Sequence, residues 1–177
     1  DGIIKLYSLR EIEVLLLETS HHFGCKDKTK ASFDHHKGLF GALSMLTTIA
    51  DEFYLGTMEV FSRVKVLFVH AADTTAYVWS LRYVEEGPAY ELWLGGFFDL
   101  DIKFDHATEK LLKALNFYWT MKCLLQETVD AIRELEVEHK KMFPDDNLSS
   151  TVNPSIMKLT EAEDKAGMGE MGPFYLK

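Results

Sequence analysis

Hydrophobic and polar positions near the N-terminus predict one short strand followed by a helix. Residues 3–7, Ile-Ile-Lys-Leu-Tyr, read as the strand. Ser8 and Glu11 then form a capping box, in which each side chain satisfies a free backbone donor at a helix start. A helix is therefore predicted from about Leu9 to His22, with Gly24 as its left-handed stop.

A second helix is predicted after a polar, lysine-rich loop over residues 24–33. Asp34 is its expected N-cap, and Gly56 is expected to end it. The apolar residues of this segment recur at helical spacing, namely Leu39, Leu43, Leu46, Ala50 and Phe53.

The middle of the chain alternates between apolar and polar residues, which predicts four β-strands. Short turns separate them, including Glu86-Gly87-Pro88, so an antiparallel meander is favoured. Gly95-Gly96 predicts either a tight hairpin or a bulge between the third and fourth strands. The apolar positions of the four strands are Val64, Val66 and Phe68; Tyr77, Trp79, Leu81 and Tyr83; Tyr90, Leu92 and Leu94; and Phe98, Leu100, Ile102 and Phe104.

A long helix is predicted over residues 105–142, and its length is its most informative property. At about 1.5 Å per residue it spans roughly 55 Å, whereas a compact body of this size is only about 40 Å across. Its first half is apolar on a wide face and is expected in the core. Its second half carries a narrow apolar seam between charged residues, as in a coiled coil. The seam is predicted to bind a partner through Leu125, Thr128, Ile132, Leu135, His139 and Met142; alternatively, it packs on the first or second helix of its own chain.

The expected fold class is therefore α+β. It comprises a short N-terminal strand, two helices, an antiparallel four-stranded meander, one long helix packed across the sheet, and an extended C-terminal tail. Residues 1–142 are expected to form a single domain. Residues 143–177 form the tail, with a possible short helix over 154–166.

Composition narrows the class of protein. The 177 residues are 47% apolar and 27% charged, which is typical of a folded chain. The net charge of −9 argues against a nucleic-acid binder. No run approaches about eighteen apolar residues, so no transmembrane helix is expected. Two cysteines are too few for a disulfide framework, which favours an intracellular location, in the cytoplasm or an organelle interior.

One segment concentrates residues that could bind a ligand. Residues 21–36 contain His21, His22, Cys25, His35 and His36. Imidazole and thiolate are the ligands that zinc prefers, so His21, Cys25, His35 and His36 are candidate metal ligands, and zinc is the one cofactor suggested. Anion binding at a helix start is a second hypothesis, using Lys26, Lys28, Lys30 and Lys37. A solvated loop is the third.

No catalytic motif was found: the chain has no Gly-x-Ser-x-Gly elbow, phosphate loop or dinucleotide fingerprint. The first hypothesis is therefore a non-catalytic interaction subunit, which binds a protein partner or forms a homo-oligomer through its long helix and tail. The element order is also similar to that of helix-grip domains, which hold apolar ligands between a sheet and a helix. The alternative is such a binding protein or small enzyme, with a site lined by His70, Tyr77, Trp79, Tyr83 and Tyr90.

Overall fold

A five-stranded mixed sheet lies between two helical layers in the computed structural model, which describes residues 1–84, 89–100, 107–141 and 151–152. The strands follow chain order across the sheet, and all neighbours are antiparallel except β2 and β3. The α+β class and the long helix across the sheet agree with the prediction. The elements are β1 (Gly2–Leu6), β2 (Ile12–Ser20), α1 (Lys28–Glu52), α2 (Met58–Phe61), β3 (Val66–Ala72), β4 (Thr75–Val84), β5 (Ala89–Asp99) and α3 (Ala107–Lys141).

The predicted first helix is wrong, because most of that segment forms strand β2. Arg10 and Glu11 have positive φ angles of 53° and 58°, so the chain turns where the capping box would start a helix. The apolar run from Val14 to Leu17 suits a strand that is covered on both faces. β2 pairs in parallel with β3, and α1 and α2 lie in the connection between them.

Helix α1 begins earlier than predicted. Its N-cap is Asp27, whose Oδ1 accepts a hydrogen bond of 3.0 Å from the backbone N–H of Lys30. Asp34, the predicted cap, instead lies inside the helix and is buried. The helix ends at Glu52, ahead of the predicted stop at Gly56.

The predicted antiparallel meander is present with three strands, β3, β4 and β5, rather than four. Its third and fourth strands form the single strand β5, which continues through Gly95-Gly96 with a bulge. Helix α3 passes close to the bulge, where a Cβ on Gly95 would lie 3.1 Å from Leu124 Cδ1. The predicted turn at residues 86–88 and the strand positions beyond residue 100 lie outside the described residues.

Helix α3 covers one face of the sheet with its first half, while α1 covers the other face. The α3 side holds Phe117 against Leu15, Leu67, Val69, Ala76 and Val78. The second half of α3 packs near α2 and the segment after α1, where Leu135 Cδ2 lies 2.6 Å from the position of a Cβ on Gly56.

Two residues of the predicted tail are described, and both contact the body. Thr151 forms an antiparallel bridge with Thr57, and the backbone N–H of Val152 donates to Gly56 O at 3.1 Å. The predicted helix over 154–166 lies outside the described residues.

None of the helices in the described part of the chain has the length and apolar composition needed to cross a bilayer.

Candidate functional site

A buried polar cluster lies beneath the first half of α1, close to the carboxyl ends of β2 and β3. Because these two strands are parallel, both end at the same edge of the sheet, where the sites of α/β proteins are commonly found. β2 contributes Glu18 and Ser20, β3 contributes His70, and α1 contributes Asp34; all four are buried. The turn between β2 and α1 lies at the same edge.

Ser20 connects the carboxylate to the imidazole. Its Oγ lies 2.8 Å from Asp34 Oδ2 and 2.9 Å from His70 Nε2. An ionised carboxylate only accepts hydrogen bonds, so Ser20 donates to Asp34, and His70 Nε2–H donates to Ser20. The hydroxyl proton therefore points toward the carboxylate rather than toward a histidine base. This is not the order of groups that activates a nucleophilic serine.

The electrostatics of the cluster favour the ionised form of Asp34 and the neutral form of His70. Burial alone would raise the pKa of Asp34, but hydrogen bonds from Lys30 and Ser20 outweigh it and lower that pKa. Burial lowers the pKa of His70, and the neighbouring His35 lowers it further, while Asp34 opposes the shift. Burial also lowers the pKa of His35.

The four lysines proposed for anion binding have different environments. Lys30 pairs with Asp34, and Lys37 Nζ lies 2.9 Å from Glu18 Oε2. Two of the four ammonium groups are therefore already neutralised by buried carboxylates. Lys26 and Lys28 are exposed.

The candidate metal ligands divide into two groups. His21 and Cys25 lie together, and His22 joins them, with one ligand atom from each within 4.8 Å of the others. His35 instead packs at 5.2 Å, between ring centroids, from Trp79. His36 Nδ1 lies 2.7 Å from Ser32 O, along its own helix. The ligand set predicted from the sequence included His21 and Cys25 of this turn but not His22.

The five residues proposed to line an apolar ligand site do not line the groove between the sheet and α3. Within the described residues, that groove has a volume of about 450 Å³ and is bordered by residues that include Leu17, Phe98 and Met121. His70, Trp79 and Tyr83 lie on the opposite face, packed with α1 or its core. Tyr77 and Tyr90 have their side chains on that face too, because they pair in register with His70 and Tyr83.

The predicted partner-binding seam packs on its own chain, which is the alternative that the sequence left open. Thr128, Ile132 and Leu135 are fully buried. Leu125 is half-buried, and His139 packs against Tyr54 with a distance of 5.1 Å between ring centroids. Met142 lies outside the described residues.

The first half of α3 carries a second apolar face that is not buried. Five large side chains there are each more than half exposed, and together we call them the α3 patch: Leu111, Leu112, Leu115, Tyr118 and Trp119. They share one side of the helix. Tyr118 lies at the edge of the patch, where its ring centroid is 5.6 Å from that of the buried Phe117 and its side chain also borders the groove. Lys122 lies at the end of the patch, with its Nζ 4.7 Å from the Trp119 ring centroid. The sequence shows more apolar residues in this half of the helix than one buried face needs, but this surplus predicts a wide buried face, not an exposed patch.

No protein-family model, curated protein or solved structure matched this chain.

Proposed function

We propose that this protein is a non-catalytic interaction subunit that assembles through the first half of α3, with a second copy of the chain as the occupant of the α3 patch. The observation that carries the proposal is the exposure of the patch. Leu111, Leu112 and Leu115 are exposed by 57%, 58% and 54%, and Trp119 by 63%. Contiguous apolar surface of this kind is typical of protein interaction sites.

The patch is self-complementary when two helices pack antiparallel about a two-fold axis at Leu115. Leu111 then faces Trp119 of the second copy, and Leu112 faces Tyr118 of the second copy. The same pairs recur on the other side of the axis, as a two-fold interface requires. Leu115 meets its counterpart at the axis, and every other contact joins a leucine to an aromatic ring, so neither ring meets its own counterpart.

Charge is compatible with this antiparallel arrangement. Lys122 is the charged residue on the patch side of the helix, and it lies seven residues beyond Leu115. The two Lys122 residues are therefore separated by about 21 Å along the helix axis, beyond a Debye length of about 8 Å.

Each copy carries a net charge of −9. We therefore expect added salt to strengthen the dimer, because screening weakens the repulsion between the two bodies.

Solution mass tests the proposal. Sedimentation equilibrium of the full chain is expected to give a dimer, and Leu115→Glu is expected to raise the dimer dissociation constant at least tenfold, or about 1.4 kcal/mol. Val137→Glu is the matched control, because Val137 is 47% exposed on the second half of the same helix. A monomeric wild type at about 100 μM, or equal effects of the two variants, would refute the proposal.

A cysteine at the two-fold axis tests the orientation of the helices. In a background with Cys25→Ser and Cys123→Ser, Leu115→Cys is expected to form an intermolecular disulfide on mild oxidation, since the two Leu115 positions are adjacent. Val137→Cys in the same background is expected to stay monomeric on a non-reducing gel. Equal yields from both positions would contradict the two-fold packing.

The groove beside α3 favours a second candidate function, the binding of a small apolar molecule. Its volume of about 450 Å³ suits such a ligand, and its walls are almost wholly apolar. Leu17→Trp would fill the groove, whereas Leu39→Trp changes a half-buried leucine on the α1 side. An apolar fluorophore is expected to bind the wild type and Leu39→Trp but not Leu17→Trp. Equal binding by all three would exclude the groove as the site.

A further inference from the structure

The turn that joins β2 to α1 brings two imidazoles and a thiol to one point. Adjacent residues of an extended chain point in opposite directions, but His21 has a φ of +60°, and its ring centroid lies 6.3 Å from that of His22. The chain then closes through a hydrogen bond of 3.1 Å from Cys25 N–H to His22 O. Ligand atoms of His21, His22 and Cys25 thus all lie within 4.8 Å of one another.

These separations are close to those of a bound zinc ion. Zinc–nitrogen bonds of about 2.0–2.1 Å and a zinc–sulfur bond of about 2.3 Å place tetrahedral ligand atoms about 3.3–3.6 Å apart. The turn must therefore close by roughly 1 Å, a change that rotation of side chains can supply. His21 and His22 are exposed and Cys25 is half-buried, so the rings and the thiol have room to rotate.

Carboxylates balance the two lysines that flank the turn. Asp27 Oδ2 lies 3.8 Å from His21 Nε2, while Oδ1 of the same residue caps α1. Asp73 contacts the turn from the β3–β4 connection, where its backbone carbonyl accepts a hydrogen bond of 2.9 Å from the backbone N–H of Gly24. Its buried Oδ1 accepts no hydrogen bond from the described residues. These two negative charges offset Lys26 and Lys28, which would otherwise repel a cation.

We propose that His21, His22 and Cys25 bind one zinc-type divalent ion, with solvent at the fourth position. Two imidazoles and one thiolate form a ligand set that favours zinc over the harder ions magnesium and calcium. The site is independent of the α3 patch, because it lies at the end of β2 and β3 next to α1. Binding displaces the thiol proton, so affinity falls on acidification.

Cobalt substitution tests the site in the full chain, purified in the reduced state and without an affinity tag. The wild type is expected to bind one Co²⁺, which Zn²⁺ then displaces, with a thiolate-to-cobalt charge-transfer band in the near ultraviolet. Cys25→Ser is expected to abolish that band. Cys123→Ser is the matched control, because Cys123 is the other free cysteine and lies exposed on α3; it is expected to keep the band.

Histidine variants test the rest of the ligand set. His22→Asn is expected to weaken Co²⁺ binding at least tenfold, whereas His36→Asn, on α1, is expected to leave it unchanged. Far-ultraviolet circular dichroism confirms that each variant is folded before titration. The proposal is overturned if the wild type gives no charge-transfer band, if Cys25→Ser retains it, or if His36→Asn weakens binding as much as His22→Asn.

Discussion

Truncation of Leu135 should destabilise the fold strongly, because the seam of α3 belongs to the core of its own chain. Leu135 is fully buried, and its Cδ2 lies 2.6 Å from the position that a Cβ on Gly56 would occupy. Hydrogen bonds to Phe53 and Val152 hold the backbone of Gly56 in place, so we expect the cavity left by Leu135→Ala to stay largely open. Such substitutions cost about 2.7–5.0 kcal/mol, and poor relaxation favours the upper part of that range. We expect a loss of about 3–5 kcal/mol.

Urea unfolding followed by circular dichroism measures this loss. The midpoint is expected to fall by about 1–2 M urea, and the melting temperature by about 6–20 °C. Val137→Ala is the control two residues further along, because its side chain is 47% exposed and surface changes cost about 0.5 kcal/mol or less. If Leu135→Ala costs no more than Val137→Ala, the packing of the seam on its own chain is refuted.

Two further predictions concern the dependence of stability on pH. Because burial holds the pKa of His70 below its ordinary value, the unfolded state binds more protons, and stability should fall as the pH drops below about 6.5. His70→Asn is expected to reduce this dependence of the unfolding free energy on pH, while the parts due to His35 and His139 remain. An unchanged dependence would contradict the prediction. The lowered pKa of Asp34 predicts stability that is present above about pH 3.9 and lost below it. Asp34→Asn should lower stability at pH 7 and remove that acid-side loss.

The long helix could be predicted because its signals are local. Residues 107–141 contain no proline or glycine, and their apolar spacing repeats over many turns, so no long-range partner was needed to identify the element. The alternation of apolar and polar residues that predicts β4 is also visible within the strand itself. Which side of the helix is buried, by contrast, depends on residues that are distant in the sequence. Apolar residues occur on two sides of its first half, and the sequence does not say which side meets the sheet.

Strand β2 was missed because its stability depends on distant residues. A short apolar run such as Val14–Leu17 fits a buried strand and a helix equally well. Its parallel partner β3 lies about fifty residues away, as in the pairing of Glu18 with His70. The capping pattern of Ser8 and Glu11 then favoured the helix, although the chain turns at that point instead.

The candidate sites were predictable only where their residues are close together in the sequence. His21 and Cys25 are close in sequence, and the structure brings them together, but His22 joins them only through the left-handed backbone of His21. Asp34 has the sequence context of an N-cap. It lies inside α1 instead, where a serine from β2 and a lysine from its own helix hydrogen-bond to it. Whether Asp34 caps the helix or lies inside it therefore depends on hydrogen bonds that its local sequence does not reveal.

The two helical layers support different chemistry, and this separation makes the proposals independent. The α1 side of the sheet carries the polar cluster and leads to the histidine–cysteine turn, whereas the α3 side carries the apolar groove and the patch. A dimer formed through Leu115 would leave the turn accessible to solvent. Leu115→Glu is therefore expected to weaken the dimer without changing cobalt binding. Cys25→Ser is expected to abolish the thiolate-to-cobalt band without changing the dimer. Loss of both properties in one variant would indicate a general defect in folding rather than two separate sites.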